Sequence, residues 1–330
     1  KPVGKGTRQI LEDVTRSRLQ GTTICTTEPQ SKRGRVSVTI TGDDEEDIEE
    51  PEIVFENGKE IKVFAEKDTE HLPWKALKVD IVVEATGAFN SYEKSQVHIE
   101  AGAKRVVISA PSKDEDTGDG KTVLMGINED ALNSCSLSSN GSCTTNAVAG
   151  VVQILDEEVG VERAILTTTH GYTASQAVVD SPSKKKGDPR RGRAAAQNII
   201  PSTTGAAKTV ARALPKFEST FDGMALRVPV IAGSVADVTL VTKKDTSTKE
   251  INSILEKAAS TKRWKKILAV TTDPIVSSDI IGQPYGAIID LSFTKVVDGT
   301  LVKVLSWYDN EWGYVATLVQ HVEAVAKHIK

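Results

Sequence analysis

The sequence predicts an α/β protein in two parts, the first with a mostly parallel sheet and the second an α+β unit with a mixed or antiparallel sheet. Three observations carry this. The 330 residues exceed what one hydrophobic core usually serves. The first half alternates short apolar runs with stretches of helical periodicity, the pattern of a parallel sheet covered by helices. Beyond residue 142 the strand-like runs lengthen and their connections tighten, which suits antiparallel pairing.

In chain order, the first part offers strands at Thr22 to Thr26, Lys59 to Ala65, Asp80 to Glu84, Arg105 to Ser109 and Val123 to Ile127. Ser91 to Ala101 is a helix stopped by Gly102, and Gly42 to Pro51, with seven acids in ten positions, reads as a solvated loop. In the second part, Ala147 to Val159 has helical apolar spacing, and the β-branched run Val161 to Thr169 is a strand ending at His170. Further strands are expected within Gly223 to Lys244, and at Ile275 to Ile280, Ala287 to Val297 and Leu301 to Tyr308, with Asp298-Gly299 as a hairpin turn. Ser247-Thr248-Lys249-Glu250 reads as a capping box opening a helix to about Ala259, and Val315 to Ile329 is a final helix.

Composition excludes several classes. With 39% hydrophobic and 26% charged residues and a net charge of −4, the chain is ordinary for a globular protein, and nucleic acid is not indicated as a partner. The longest apolar runs, such as Ile81-Val82-Val83, are far too short to span a bilayer. Lys1-Pro2-Val3-Gly4 leads into polar sequence, so no signal peptide is expected. Cys25, Cys135 and Cys143 form no CxxC pair and leave an odd thiol, which points to a reducing, cytoplasmic setting, with no metal site expected. Asn140-Gly141-Ser142 matches a glycosylation acceptor, a string frequent by chance.

The chemistry-bearing feature is Ser142-Cys143-Thr144-Thr145-Asn146 at the start of a helix. There Cys143 faces the unpaired N–H groups and positive end of that helix, which favour thiolate, and His170 at the end of the next strand can serve as ion-pair partner and base. A buried structural cysteine is the common fate of a free thiol. The polar neighbours Ser142, Thr144, Thr145 and Asn146 argue against it here.

Upstream, Gly4-Lys5-Gly6-Thr7-Arg8-Gln9, a helical Ile10 to Leu19, and a strand ending at Glu28 follow the spacing of a dinucleotide-binding fingerprint. Gly4 and Gly6 fill the first two glycine positions, Gln9 stands at the third, and Glu28 falls where a ribose-binding acid belongs.

Five strings together resemble one family. Ser142 to Asn146, His170-Gly171-Tyr172-Thr173, Asn198 to Lys208, Gly223-Met224-Ala225-Leu226-Arg227-Val228-Pro229 and Ser306 to Tyr314 look like glyceraldehyde-3-phosphate dehydrogenase, in that family's order and close to its spacing. The resemblance continues upstream to about Pro51 and is fragmentary before it. Near Ser31 to Arg35 the chain is shorter than the usual family pattern by about a dozen residues, the length of a mean helix.

The resemblance implies a Rossmann-type domain at 1–142 with 311–330, and a catalytic domain at 143–310. It implies a homotetramer that oxidises and phosphorylates glyceraldehyde 3-phosphate to 1,3-bisphosphoglycerate with NAD and inorganic phosphate, through a thioester on Cys143 with His170 as base. Cys143 and Thr144 would help hold the oxyanion. Thr173, Arg191 and Arg227 map to the pocket for the substrate phosphate, and Ser142, Thr144, Thr204 and Gly205 to the pocket for inorganic phosphate. Thr86, Phe89, Ser109 and Asn310 map to the cofactor.

Ser175 stands where the family commonly has an acid, and Lys184 to Arg193, with six basic residues, reads either as a solvated loop or as part of the tetramer core. Glu28 favours NAD, while Lys32 and Arg33 keep NADP open. The alternatives are a same-fold binding or moonlighting protein with an impaired cofactor site, and a sister enzyme acting on erythrose 4-phosphate. The latter lacks the Tyr172-Thr173 pairing after its histidine.

Overall fold

The computed structural model describes residues 68–329, apart from 117 and 184–187, together with residue 66 and four short strands nearer the N-terminus. Those strands are β1 (Thr23–Ile24), β2 (Val36–Thr39), β3 (Glu52–Phe55) and β4 (Glu60–Phe64), paired antiparallel in the order β1-β4-β3-β2. The periodicity reading put β1 and β4 in a parallel sheet. Four residues separate β3 from β4 and include Asn57-Gly58, a hairpin signal and far too short a link for a parallel crossover.

A second sheet holds β5 (Ile81–Glu84), β6 (Arg105–Ile108), β7 (Gly120–Thr122) and β8 (Leu137–Ser139) in the order β5-β6-β8-β7, with β5/β6 and β6/β8 parallel. Helix α1 (Tyr92–Glu100) makes the crossover between β5 and β6. Ser91 caps it by accepting the Lys94 N–H, and Gly102, at φ +112°, ends it. Trp74, Val79, Val82, Tyr92, Ala103, Val106, Ile108 and Leu137 form the core. The expected strand Val123 to Ile127 does not form. Asn128 instead closes a turn there, accepting from Leu124 N and donating to the Thr122 carbonyl.

The chain divides into two compact units. Leu132–Ser139 and the stretch from Val322 group with the residues up to Lys121, while Thr122–Ala131 groups with Asn140–His321. One cause is Trp264, which packs under Gly126.

The second unit contains α2 (Cys143–Glu158), β9 (Val161–Gly171), β10 (Ile200–Thr203), α3 (Ala206–Ala213), β11 (Phe221–Val228), β12 (Ser234–Thr242), α4 (Thr248–Ser260), β13 (Leu268–Thr271), β14 (Ala287–Val297) and β15 (Leu301–Tyr308). Helix α5 (Trp312–Ala326) follows. Seven strands form one mixed sheet, β10-β11-β9-β12-β15-β14-β13. Only β11/β9 and β14/β13 are parallel pairs.

The run Gly223 to Lys244 is two strands, β11 and β12, separated at Pro229 and at Gly233, whose φ is +92°. Ile275 to Ile280 is not a strand. Asp279 accepts the Val276 N–H in a turn, and the edge strand is β13 instead. Asp298 and Gly299 both have positive φ, as the hairpin between β14 and β15 requires.

Helix α2 starts four residues before the expected Ala147, because Ser142 and Thr145 close a reciprocal capping box. Asn140 is fully buried, which keeps the acceptor-like string away from solvent. Strand β9 runs through the middle of the sheet, and Leu166, Thr168 and His170 alternate onto its buried face. Leu166 meets Val238 on β12 and is wholly buried. Leu166→Ala is expected to cost about 2–5 kcal/mol, read as a lower urea midpoint in circular dichroism.

Candidate active site

Two backbone features place the central pair. The Ser142 Oγ accepts from Thr145 N at 3.1 Å and the Thr145 Oγ1 accepts from Ser142 N at 3.2 Å, so Cys143 is the first residue of α2. Its N–H and that of Thr144 belong to the first four that a helix start leaves without an intrahelical partner. Strand β9 ends one residue past His170, whose ring is 3% exposed. The Cys143 Sγ lies 3.4 Å from His170 Nε2.

The other ring nitrogen faces two partners. His170 Nδ1 is 2.6 Å from the Gly171 carbonyl and 2.6 Å from Arg227 Nη1, which also donates to that carbonyl at 3.2 Å. Arg227 is brought there by register, since it sits opposite His170 in the parallel β9/β11 pair. One proton decides between the partners. A proton on Nδ1 serves Gly171 and leaves the Nε2 lone pair toward sulfur. A bare Nδ1 accepts from Arg227 and puts the proton on Nε2, facing sulfur.

Helix-end and histidine effects led the sequence reading to expect a lowered thiol pKa. In the free protein burial is the largest influence on the thiol. It pushes the Cys143 thiol up, against hydrogen bonding at Thr144 and the positive charge of Arg227. Burial and then the Arg227 charge push His170 down, to about 4. Both shifts favour a neutral thiol beside a neutral imidazole.

Tyr308 carries no catalytic signal of its own in the sequence, and it joins three elements. Its hydroxyl lies 2.8 Å from Thr144 Oγ1 and 2.7 Å from Thr168 Oγ1, and its ring stands edge-on to His170 at 5.8 Å. Ser234 was also missed. Its Oγ accepts from Gly171 N and donates to Asn310 Oδ1, while Gly233 N donates to the same Asn310 oxygen, so the end of β9 is tied to Asn310. Neither link has a local signal, because the partners are scores of residues apart.

Arg191 and Arg227 gather near one another, and burial together with the Arg191 charge lowers the Arg227 pKa. Arg191 Nη1 donates to Ser175 Oγ at 3.0 Å, and that hydroxyl lies 2.9 Å from Thr173 Oγ1. Among the described residues, the buried Arg191 Nε, Arg227 Nε and Gln176 Nε2 have no hydrogen-bond partner. Arg191 Nε is 3.6 Å from Asp188 Oδ2, an ion pair beyond hydrogen-bond range. The buried Arg191 and the half-buried Arg227, each with an unpartnered Nε, offer donors suited to an anion.

Thr204 and Gly205 lie apart from this group in the hydrogen-bond pattern. The Thr204 hydroxyl accepts from Ala206 N, and Gly205 caps α3 with open space where a side chain would stand.

In the first unit, Thr86 and Phe89 follow β5 and Ser109 follows β6, at the carboxyl ends of neighbouring parallel strands, where open α/β sheets take their ligands. Gly87, at φ +77°, has nothing within 4 Å of where a Cβ would stand, so the turn has open space beside it. Gly4, Gly6, Glu28 and Cys25 lie outside the described residues. Of the other two thiols, Cys135 is buried with its pKa pushed by that burial to about 11, an unreactive site.

A parallel-sheet unit with an open turn at its strand ends, and a mixed-sheet unit presenting a cysteine, a histidine and paired arginines, are the parts a thiol-dependent enzyme with a nucleotide cofactor would need. Comparison with known proteins narrows this. Residues 142–310 match the glyceraldehyde 3-phosphate dehydrogenase C-terminal domain, and residues 31–92 match the NAD binding domain of the same enzyme. The chain is 49% identical over 272 residues to glyceraldehyde-3-phosphate dehydrogenase of Thermotoga maritima, covering 82% of this chain and 79% of that protein. It is 46% identical over 265 residues to glyceraldehyde-3-phosphate dehydrogenase 2 of Streptomyces avermitilis, 80% of this chain and 77% of that one. For glyceraldehyde-3-phosphate dehydrogenase 2 of Bacillus subtilis the figures are 43% over 290 residues, 86% and 83%. The chain belongs to the glyceraldehyde-3-phosphate dehydrogenase family.

The raised thiol sets a pH test. Alkylation of Cys143 by iodoacetamide in the absence of substrate, followed at that residue by mass spectrometry, should rise about tenfold per pH unit from roughly pH 7 to pH 9. A plateau below pH 8 shows a resting ion pair instead.

Proposed function

We propose that this chain is a phosphorylating, NAD-dependent aldehyde oxidoreductase that converts glyceraldehyde 3-phosphate and inorganic phosphate to 1,3-bisphosphoglycerate. The observation that carries this is the Cys143 Sγ set 3.4 Å from His170 Nε2, with Arg227 on the far side of the same imidazole. Cys143 Sγ attacks the aldehyde carbon as its proton passes to His170 Nε2. The oxyanion is received by the Cys143 amide and by Thr144, whose hydroxyl Tyr308 holds. His170 returns that proton to the oxyanion to give the thiohemiacetal hydroxyl, then takes it again as the carbon is oxidised to the thioester. An oxygen of inorganic phosphate attacks the thioester and expels the Cys143 sulfur, which recovers the proton from His170 as the acyl phosphate leaves. The cofactor, when bound, supplies the acceptor for the electron pair. Thr86, Phe89, Ser109 and Asn310 are the described residues that would hold it.

The paired arginines give the substrate phosphate a further role. An anion seated on Thr173, Arg191 and Arg227 competes for the Arg227 guanidinium, which otherwise occupies His170 Nδ1. Once released, Nδ1–H donates to the Gly171 carbonyl and Nε2 becomes the base. In this reading the substrate's own phosphate switches on the histidine. Inorganic phosphate is assigned to Ser142, Thr144, Thr204 and Gly205, where the amides and hydroxyls at the start of α3 add neutral donors.

Four further assignments complete the reading. NAD is preferred to NADP because Glu28 would repel a 2′-phosphate. A homotetramer is supported by Ile165 and Met224, 58% and 41% exposed on the outer face of β9 and β11. The cytoplasmic assignment rests on the unpaired thiols of Cys135 and Cys143. Among the described residues no helix is long and apolar enough to cross a membrane. Residues 1–142 with 311–330 are assigned to cofactor binding and 143–310 to catalysis.

The direct test is reduction of NAD, with trapping of the acyl phosphate, on adding glyceraldehyde 3-phosphate and inorganic phosphate. No reduction of NAD or NADP refutes the reading. Cys143→Ser should abolish turnover and leave the circular dichroism spectrum unchanged. Arg227→Ala should raise KM for glyceraldehyde 3-phosphate roughly 10- to 100-fold, the loss of charged hydrogen bonds, and do far less to the KM of unphosphorylated glyceraldehyde. Equal losses on both aldehydes remove Arg227 from the anion pocket.

A further inference from the structure

Glu84 is the last residue of β5 and is 3% exposed. A buried carboxylate is costly, and the alternation of β5 puts it on the same face as Val82, where an apolar side chain would pack at no such cost. Its two oxygens have separate duties. Oε1 accepts the Thr86 N–H at 2.8 Å and the Thr86 hydroxyl at 2.5 Å, and Thr86 Oγ1 in turn accepts the Ala88 N–H at 3.1 Å. Oε2 meets His98 Nε2 on α1 at 3.1 Å.

Behind His98 lies Trp74, wholly buried, whose Nε1 is 3.2 Å from His98 Nδ1. An indole nitrogen can only donate. Nδ1 must therefore carry a lone pair, the ring proton sits on Nε2, and it points at Glu84. Every bond in the chain then has one direction, from Trp74 to His98 to Glu84 on the inner side, and from Ala88 to Thr86 to Glu84 on the outer. Burial alone pushes the Glu84 carboxyl up, but the hydrogen bonds from His98 and Thr86 take it below its ordinary value, as a fixed acceptor requires.

His98 also supports the other side of the turn. The Phe89 ring stands edge-on to it at 5.8 Å, and Ser95 of the same helix donates to the Phe89 carbonyl at 2.5 Å. Thr86 and Phe89, assigned above to the cofactor, thus both lean on one buried imidazole, around the open Gly87.

We propose that Trp74 and His98 are positioning residues for the dinucleotide, acting through Glu84 and Phe89 to hold the turn Thr86 to Phe89 in its binding shape. This rests on the reading of that turn as part of the cofactor site. Neither side chain touches the cofactor in this account. Their effect falls on cofactor affinity and leaves the thiol chemistry of the other unit alone.

The experiment compares wild type, His98→Leu, His98→Gln and Trp74→Phe in full-length protein, by NAD calorimetry and by steady-state kinetics with NAD varied. Alkylation of cofactor-free Cys143 reports that each variant is folded. His98→Leu is expected to raise both Kd and KM for NAD about tenfold or more, with kcat at saturating NAD within about twofold of wild type. His98→Gln keeps one donor and one acceptor and should recover most of the loss. Trp74→Phe removes one hydrogen bond and should cost about fivefold in Kd.

Wild-type Kd and KM in His98→Leu overturn the proposal. So does a His98→Gln no better than His98→Leu, because the directed polarity would then be irrelevant. Failure of the wild type itself to bind NAD or NADP refutes the cofactor reading, and the positioning role with it. Should His98→Leu fail to fold, the Trp74→Phe and His98→Gln values decide alone, and wild-type affinity in Trp74→Phe refutes it.

Discussion

The reciprocal bond between Ser142 and Thr145 determines where α2 begins, and most of the second unit's site geometry depends on that start. It makes Cys143 the first helical residue and aims its amide and that of Thr144 outward. It also sets Thr144 over Tyr308, which reaches across to Thr168 on β9. Because β9 alternates, Thr168 and His170 share one face, and the ring arrives at the sulfur without any loop to position it. Asn146 reinforces the arrangement by donating to the Asn140 and Ser142 carbonyls. A scaffold of strand, helix cap and buried hydroxyls holds the pair more firmly than a loop could.

The same burial that gives precision opposes reactivity. The half-buried Cys143 thiol and the buried His170 imidazole are both disfavoured in their charged forms, and the Arg227 charge adds to this at the imidazole. The unpartnered nitrogens of Arg191, Arg227 and Gln176 show where compensation is missing. In the proposed reading the substrate's phosphate would satisfy them and would act on the guanidinium that also holds His170.

The first unit answers the cost of burial differently. Glu84 is buried as deeply as the site histidine, yet it is supplied with donors on both oxygens from within its own fold. Its network is complete without a ligand, whereas the arginine pair is not. That contrast separates a self-satisfied polar network from one with donors left over.

Much of this was legible in the residues alone. The strings around Cys143, His170, Arg227 and Asn310 pointed to the family, and the apolar pattern located β14 and β15 to the residue, because two long β-rich runs joined by Asp298-Gly299 leave little freedom. Short runs misled. Val123 to Ile127 and Ile275 to Ile280 are apolar enough for strands, but Asn128 and Asp279 divert them into turns. Asn57-Gly58 carried an antiparallel signal that periodicity did not weigh. Tertiary structure alone decided the roles of Tyr308, Ser234, Trp74 and His98, and the direction of the Cys143 and His170 shifts. Local sequence sets propensity and spacing, while burial and long-range hydrogen bonding exist only once distant segments have packed.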